Sequence, residues 1–149
     1  MNFHAFLASG FGIGYAPKAP GTFGALLGLA LGAALLTAGH VPLLFGIIVV
    51  TGLGIFAIAR LPDQAAADPG WIVIDEIAGQ MVPLLALREL SIGGLLVAFI
   101  LFRVFDIWKP GPVAWADQRH DEFGIMGDDI IAGLLAGAIV LALHLVSPL

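Results

Sequence analysis

Two adjacent acids stand at the mouth of an apolar run in Ile74-Asp75-Glu76-Ile77-Ala78-Gly79-Gln80, and two more precede another run in Gly124-Ile125-Met126-Gly127-Asp128-Asp129. A third stretch, Phe102-Arg103-Val104-Phe105-Asp106-Ile107-Trp108-Lys109-Pro110, spaces Arg103, Asp106 and Lys109 three residues apart, so that two cations flank an acid on one helical face. Ionised side chains near hydrocarbon cost about 2.5–3.5 kcal/mol each on insertion scales, so acids at the ends of apolar helices point to function. Plainer readings exist for each group. Asp75 and Glu76 suit the positive end of a helix dipole, Arg103, Asp106 and Lys109 suit a salt-bridge ladder, and one of Asp128 and Asp129 suits an N-cap, which leaves the second unexplained. A fourth stretch, Gly10 to Thr22, is a glycine- and proline-rich loop whose backbone N–H groups can cradle phosphate, with Lys18 and Thr22 as its side-chain candidates. It is neither a Walker nor a Rossmann pattern.

Taken together, these groups offer hard oxygen ligands with Arg and Lys nearby, which is what Mg²⁺ and a phosphate ester require. Cysteine is absent, so thiolate metal chemistry and disulfides are excluded. His4, His40 and His144 are scattered, and only His120 falls among the charged groups.

The elements that must position these residues are membrane helices. Of 149 residues, 60% are hydrophobic and 11% charged, and the mean hydropathy is +1.03. A single domain over residues 1–149 cannot hide that much apolar surface, so the surplus must face lipid. Net charge is −5, with six basic residues in all, which argues against nucleic acid. Met1 to Gly10 does not read as a signal peptide. Apolar runs at Phe23 to Ala38, Pro42 to Ala59, Ile72 to Leu87, Ile92 to Ile107 and Ile130 to Val146 predict an all-α bundle of about five transmembrane helices, with a short N-terminal helix before them. Threading the chain through five crossings puts nearly every charge on one rim, Asp63, Asp68, Asp117, Arg119, Asp121 and Glu122 included, and leaves Arg88 and Glu89 opposite. Basic residues in short loops favour the cytoplasm, so the loaded rim is expected to be cytoplasmic. Gly24, Gly28 and Gly32, and again Gly133 and Gly137, recur every four residues and predict close helix packing, within the chain or in a homo-oligomer.

With these motifs in order, Gly10 to Gly24, Val73 to Gly79, Phe102 to Pro110 and Gly124 to Gly133, the sequence resembles the phosphatidylglycerophosphatase A family over almost its whole length. The resemblance implies a multihelical inner-membrane enzyme that uses Mg²⁺ to hydrolyse phosphatidylglycerophosphate to phosphatidylglycerol. Carried over residue by residue, it implies a catalytic set of Asp75, Glu76, Asp106, Asp128 and Asp129. Asp75, Glu76, Asp128 and Asp129 are then the expected metal ligands, Asp106 a further ligand or a base, and Arg103 and Lys109 the groups that take up phosphate charge. The sequence departs from the family pattern at Asp121-Glu122-Phe123, where a glycine pair is usual, so no role is carried to Arg119 or His120. The rival reading is a small ion or solute transporter with an acidic vestibule. It requires polar residues at mid-membrane depth, and the runs beginning near Phe23, Pro42 and Ile130 have almost none.

Overall fold

Glycine and proline punctuate the apolar runs, and the chain folds into helices between them. The computed structural model describes residues 1–67 and 69–147, the Gln64 side chain apart; Asp68, one of the expected rim charges, lies outside the described residues. In chain order the helices are α1 (Phe3–Ala8), α2 (Pro20–Thr37), α3 (His40–Ile58), α4 (Pro62–Ala66), α5 (Ile74–Met81), α6 (Ile92–Trp108), α7 (Pro112–Asp117) and α8 (Glu122–Val146), with no strand among the described residues.

By length and composition, α2, α3 and α8 can each cross a bilayer, and only 28% of the α2 and α3 spans is buried inside the protein. Val41, Phe45 and Ile48 of α3, Ile100 of α6 and Leu141 of α8 are among the large apolar side chains left exposed. In water such surfaces would be unfavourable at roughly 25 cal/mol per Å²; in hydrocarbon they are at rest. The protein is built for a membrane.

The run from Ile72 to Leu87 departs from expectation. It is not one long crossing helix: α5 has eight residues and passes into a 3-10 turn at Val82–Ala86. Pro83, second in that turn, lacks the N–H that a continuing α-helix would use. The two pieces together rise about 22 Å, short of a hydrocarbon core of about 30 Å. Every residue from Ile72 to Leu84 except Glu76 is buried, so this segment is the central strut of the bundle. Its far end meets the start of α3, where His40 Nε2 lies 2.8 Å from the Leu87 carbonyl oxygen.

The glycine stripes grip that strut. A methyl group on Gly24 would stand 2.9 Å from Val73 Cβ, one on Gly28 would collide with the Ile77 carbonyl, and one on Gly32 would stand 2.9 Å from Leu84. Because contacts advance together along both chains, α2 and α5 run parallel. On the other side, Gly133 abuts the Gly79 carbonyl and Gly137 faces Pro83, so α8 also runs parallel to α5. The stripes therefore serve packing within the chain, and the faces suggested for a homo-oligomer are already occupied. Phe102 of α6 lies on Gly79 and Gly94 on Leu87, so α6 runs antiparallel to the strut. This arrangement carries the start of α5, the end of α6 and the early turns of α8 to one rim.

Candidate active site

Asp75, buried, and Glu76, half-buried, occupy the first turn of α5. Asp129 reaches them from α8 because Gly79 lets the two backbones touch: a Cβ on Gly79 would stand 2.6 Å from the Asp129 carbonyl oxygen and 2.8 Å from the Phe102 ring. Gly21 at the start of α2 does the same for Glu76, whose carboxylate occupies the space a side chain at Gly21 would need. As a result, one carboxylate oxygen from each of Asp75, Glu76 and Asp129 falls within 4.8 Å of the others.

These acids line a cavity of about 170 Å³ together with Asp106, Asp117 and Asp128, against Lys109, Arg119 and His120 on its other walls. Six acids against two cations leave a marked negative surplus, which favours a bound cation. Asp75 Oδ1 and Glu76 Oε2 are buried with no hydrogen-bond partner among the described residues. Unpaired carboxylate oxygens of this kind, in a converging group made of Asp and Glu alone, fit a hard divalent ion such as Mg²⁺.

The expected salt-bridge ladder is only half present. Arg103 Nη1 donates to Asp106 Oδ2 within α6, but Lys109 leaves the helix with φ +51° and ψ +60°. That left-handed turn before Pro110 swings its ammonium to Asp117 and, at 2.7 Å, to Asp128 Oδ2. Burial works against the Lys109 charge, yet the bonds to Asp117 and Asp128 outweigh it and raise the ammonium above the ordinary lysine range. Asp128, expected among the metal ligands, is thus engaged by a lysine and stands outside the three-carboxylate group; its Oδ1 also accepts the Asp129 backbone N–H at 2.9 Å.

Two further differences concern α8 and the first loop. The helix begins at Glu122, not at Ile130: Asp121 is its N-cap, with Oδ1 accepting the Gly124 N–H at 2.8 Å, so Asp128 and Asp129 lie well inside it. Arg119 pairs with Asp121 at 2.6 Å, so the unusual Asp121-Glu122-Phe123 segment works as a cap. Lys18 is exposed on the approach to α2, and neither it nor Thr22 lines the acidic cavity. Asp117, Arg119 and His120 do line it, although sequence reasoning gave none of them a role in the site. Their one early signal was a place on the charged rim.

The described residues thus form an all-helical bundle, three of its helices long and apolar enough to cross a membrane, with an acidic, cation-flanked cavity at one rim. The phosphatidylglycerophosphatase A family model matches residues 6–144. A Haemophilus influenzae protein named phosphatidylglycerophosphatase A is 40% identical over 93% of this chain and 86% of its own length. The Escherichia coli protein of the same name is 36% identical over 90% of this chain and 79% of its own. A Bacteroides thetaiotaomicron protein, provisionally named a phosphatidylinositol-3-phosphatase, is also 36% identical, over 86% and 85%. No solved structure gives a significant match. The chain belongs to the phosphatidylglycerophosphatase A family, and it is an enzyme of that phosphatase class.

Proposed function

We propose that this enzyme removes the terminal phosphate of phosphatidylglycerophosphate, yielding phosphatidylglycerol, in a reaction that depends on Mg²⁺ and takes place at the cytoplasmic face of the bacterial inner membrane. The observation that carries the reading is the convergence of Asp75, Glu76 and Asp129 oxygens within 4.8 Å in a chain of this family. Those three residues would hold the ion, which when bound would polarise the phosphoryl oxygens and make a bound water more acidic. Arg103 holds one oxygen of Asp106 and leaves the other to accept the proton of the attacking water. As the water oxygen bonds to phosphorus, the bond to the glycerol oxygen breaks, that oxygen takes up a proton from solvent to leave as a hydroxyl, and Asp106 returns its own proton to solvent. Lys109 and Arg119 face the same cavity and balance phosphate charge, while Asp128 and Asp117 keep Lys109 aimed into it. Lys18 and Thr22 stand outside this set.

With α5 read as a short pass and α6 as a longer one beside the spans α2, α3 and α8, the chain makes five passes on this reading, and the loaded rim then lies in the cytoplasm. A transporter is disfavoured because the cavity lining on α5 ends at Glu76 and on α8 at Asp129, and past the buried Gln80 the strut from Met81 to Leu87 carries only apolar side chains. The test is phosphate release by the purified protein from phosphatidylglycerophosphate, phosphatidylinositol 3-phosphate and phosphatidic acid, with Mg²⁺ and with EDTA. Release from the first lipid that EDTA abolishes is the expected result. Preference for the inositol lipid would transfer the reading to the activity named for the Bacteroides relative.

A further inference from the structure

Gln80 is fully buried, and neither atom of its carboxamide has a hydrogen-bond partner among the described residues. An unpaired buried amide is destabilising, so packing alone gives no reason for a glutamine in a helix whose other buried side chains include Ile77, Ala78 and Met81. It follows Glu76 by four residues on α5, which puts the two side chains on one face with Cβ atoms about 5–6 Å apart. Glu76 Oε2 is itself buried without a partner. Gln80 does not line the cavity, so it is not placed to touch a phosphate bound there.

We propose that Gln80 is a positioning residue, donating a carboxamide N–H to the Glu76 carboxylate when that carboxylate ligates the divalent ion, and so fixing which oxygen faces the cavity. The proposal rests on the metal reading above. Carboxylate ligands are commonly oriented by such an outer hydrogen bond, whose loss weakens metal binding about 10–100-fold.

The experiment compares the full-length wild-type protein with Gln80→Met in detergent, measuring Mn²⁺ affinity by calorimetric titration and the unfolding midpoint in EDTA. Methionine has a similar volume and removes the unpaired amide. Gln80→Met is therefore expected to bind Mn²⁺ at least about tenfold more weakly while its midpoint in EDTA is unchanged or higher. Equal Mn²⁺ affinity in the two proteins overturns the role of Gln80 and leaves the metal site standing. A lower midpoint in EDTA also overturns it, because the amide then serves the metal-free fold. Failure of the wild type to bind Mn²⁺ removes the metal reading first and this inference with it.

Discussion

Gly79 and Asp129 meet backbone to backbone: a methyl group on Gly79 would stand 2.6 Å from the Asp129 carbonyl oxygen. That contact lets α8 lie against α5 and carries the Asp129 carboxylate to Asp75 and Glu76. Gly79→Ala should therefore force α5 and α8 apart, at about 1–3 kcal/mol of stability, and lower activity by more than the loss of folded protein explains. Thermal unfolding in detergent together with phosphate release per folded molecule checks this.

Asp75→Asn and Asp129→Asn keep side-chain size and remove a charge from the three-carboxylate group. Both should lower phosphate release at least roughly 100-fold, since several kcal/mol of transition-state stabilisation depend on the ion they hold. Circular dichroism and membrane extraction should match wild type.

Lys109 bridges Asp117 and Asp128 from a left-handed turn. Lys109→Met strands the mostly buried Asp128 carboxylate and should cost about 1–3 kcal/mol. Adding Asp128→Asn should return part of that loss, and a double-mutant cycle on unfolding free energies measures the coupling.

Asp121 caps α8, and the Arg119 hydrogen bond, followed by the Gly124 N–H, holds its carboxyl below the usual aspartate range. A depressed folded-state pKa means that this contribution is fully present above the unfolded value of about 4 and is lost as pH falls through the folded one. Asp121→Ala should lower the unfolding midpoint by a few degrees near neutral pH. That difference should vanish in strong acid, which unfolding curves across pH will show.

Much of this arrangement was legible because membrane helices write their boundaries in composition. The runs at Phe23, Pro42 and Ile130 became α2, α3 and α8, and charge alternation gathered the acids of α5, α6 and α8 at one rim. The glycine spacing on α2 foretold close packing, though only the fold named α5 as its partner. The start of α8 was misread because Asp128 and Asp129 interrupt an apolar run much as a helix start does; the true cap, Asp121, sat in a segment judged by its departure from a family pattern. Lys109 leaving its helix had a local warning in Pro110, since the residue before proline is disfavoured in helical conformation. Its partners Asp117 and Asp128 had none, because they depend on how α7 folds back against α8. The shortness of α5 had its local sign in Pro83, but a strut buried on all sides is as apolar as a span facing lipid, which masked it.

Titration of Mn²⁺ into purified wild-type, Asp75→Asn, Glu76→Gln and Asp129→Asn proteins, read by electron paramagnetic resonance, asks most directly whether the three carboxylates grip one ion together. Each substitution should weaken the same site at least about tenfold, consistent with the loss of a ligand. Variants that bind Mn²⁺ as the wild type does would show that these carboxylates, though adjacent, do not form a metal site.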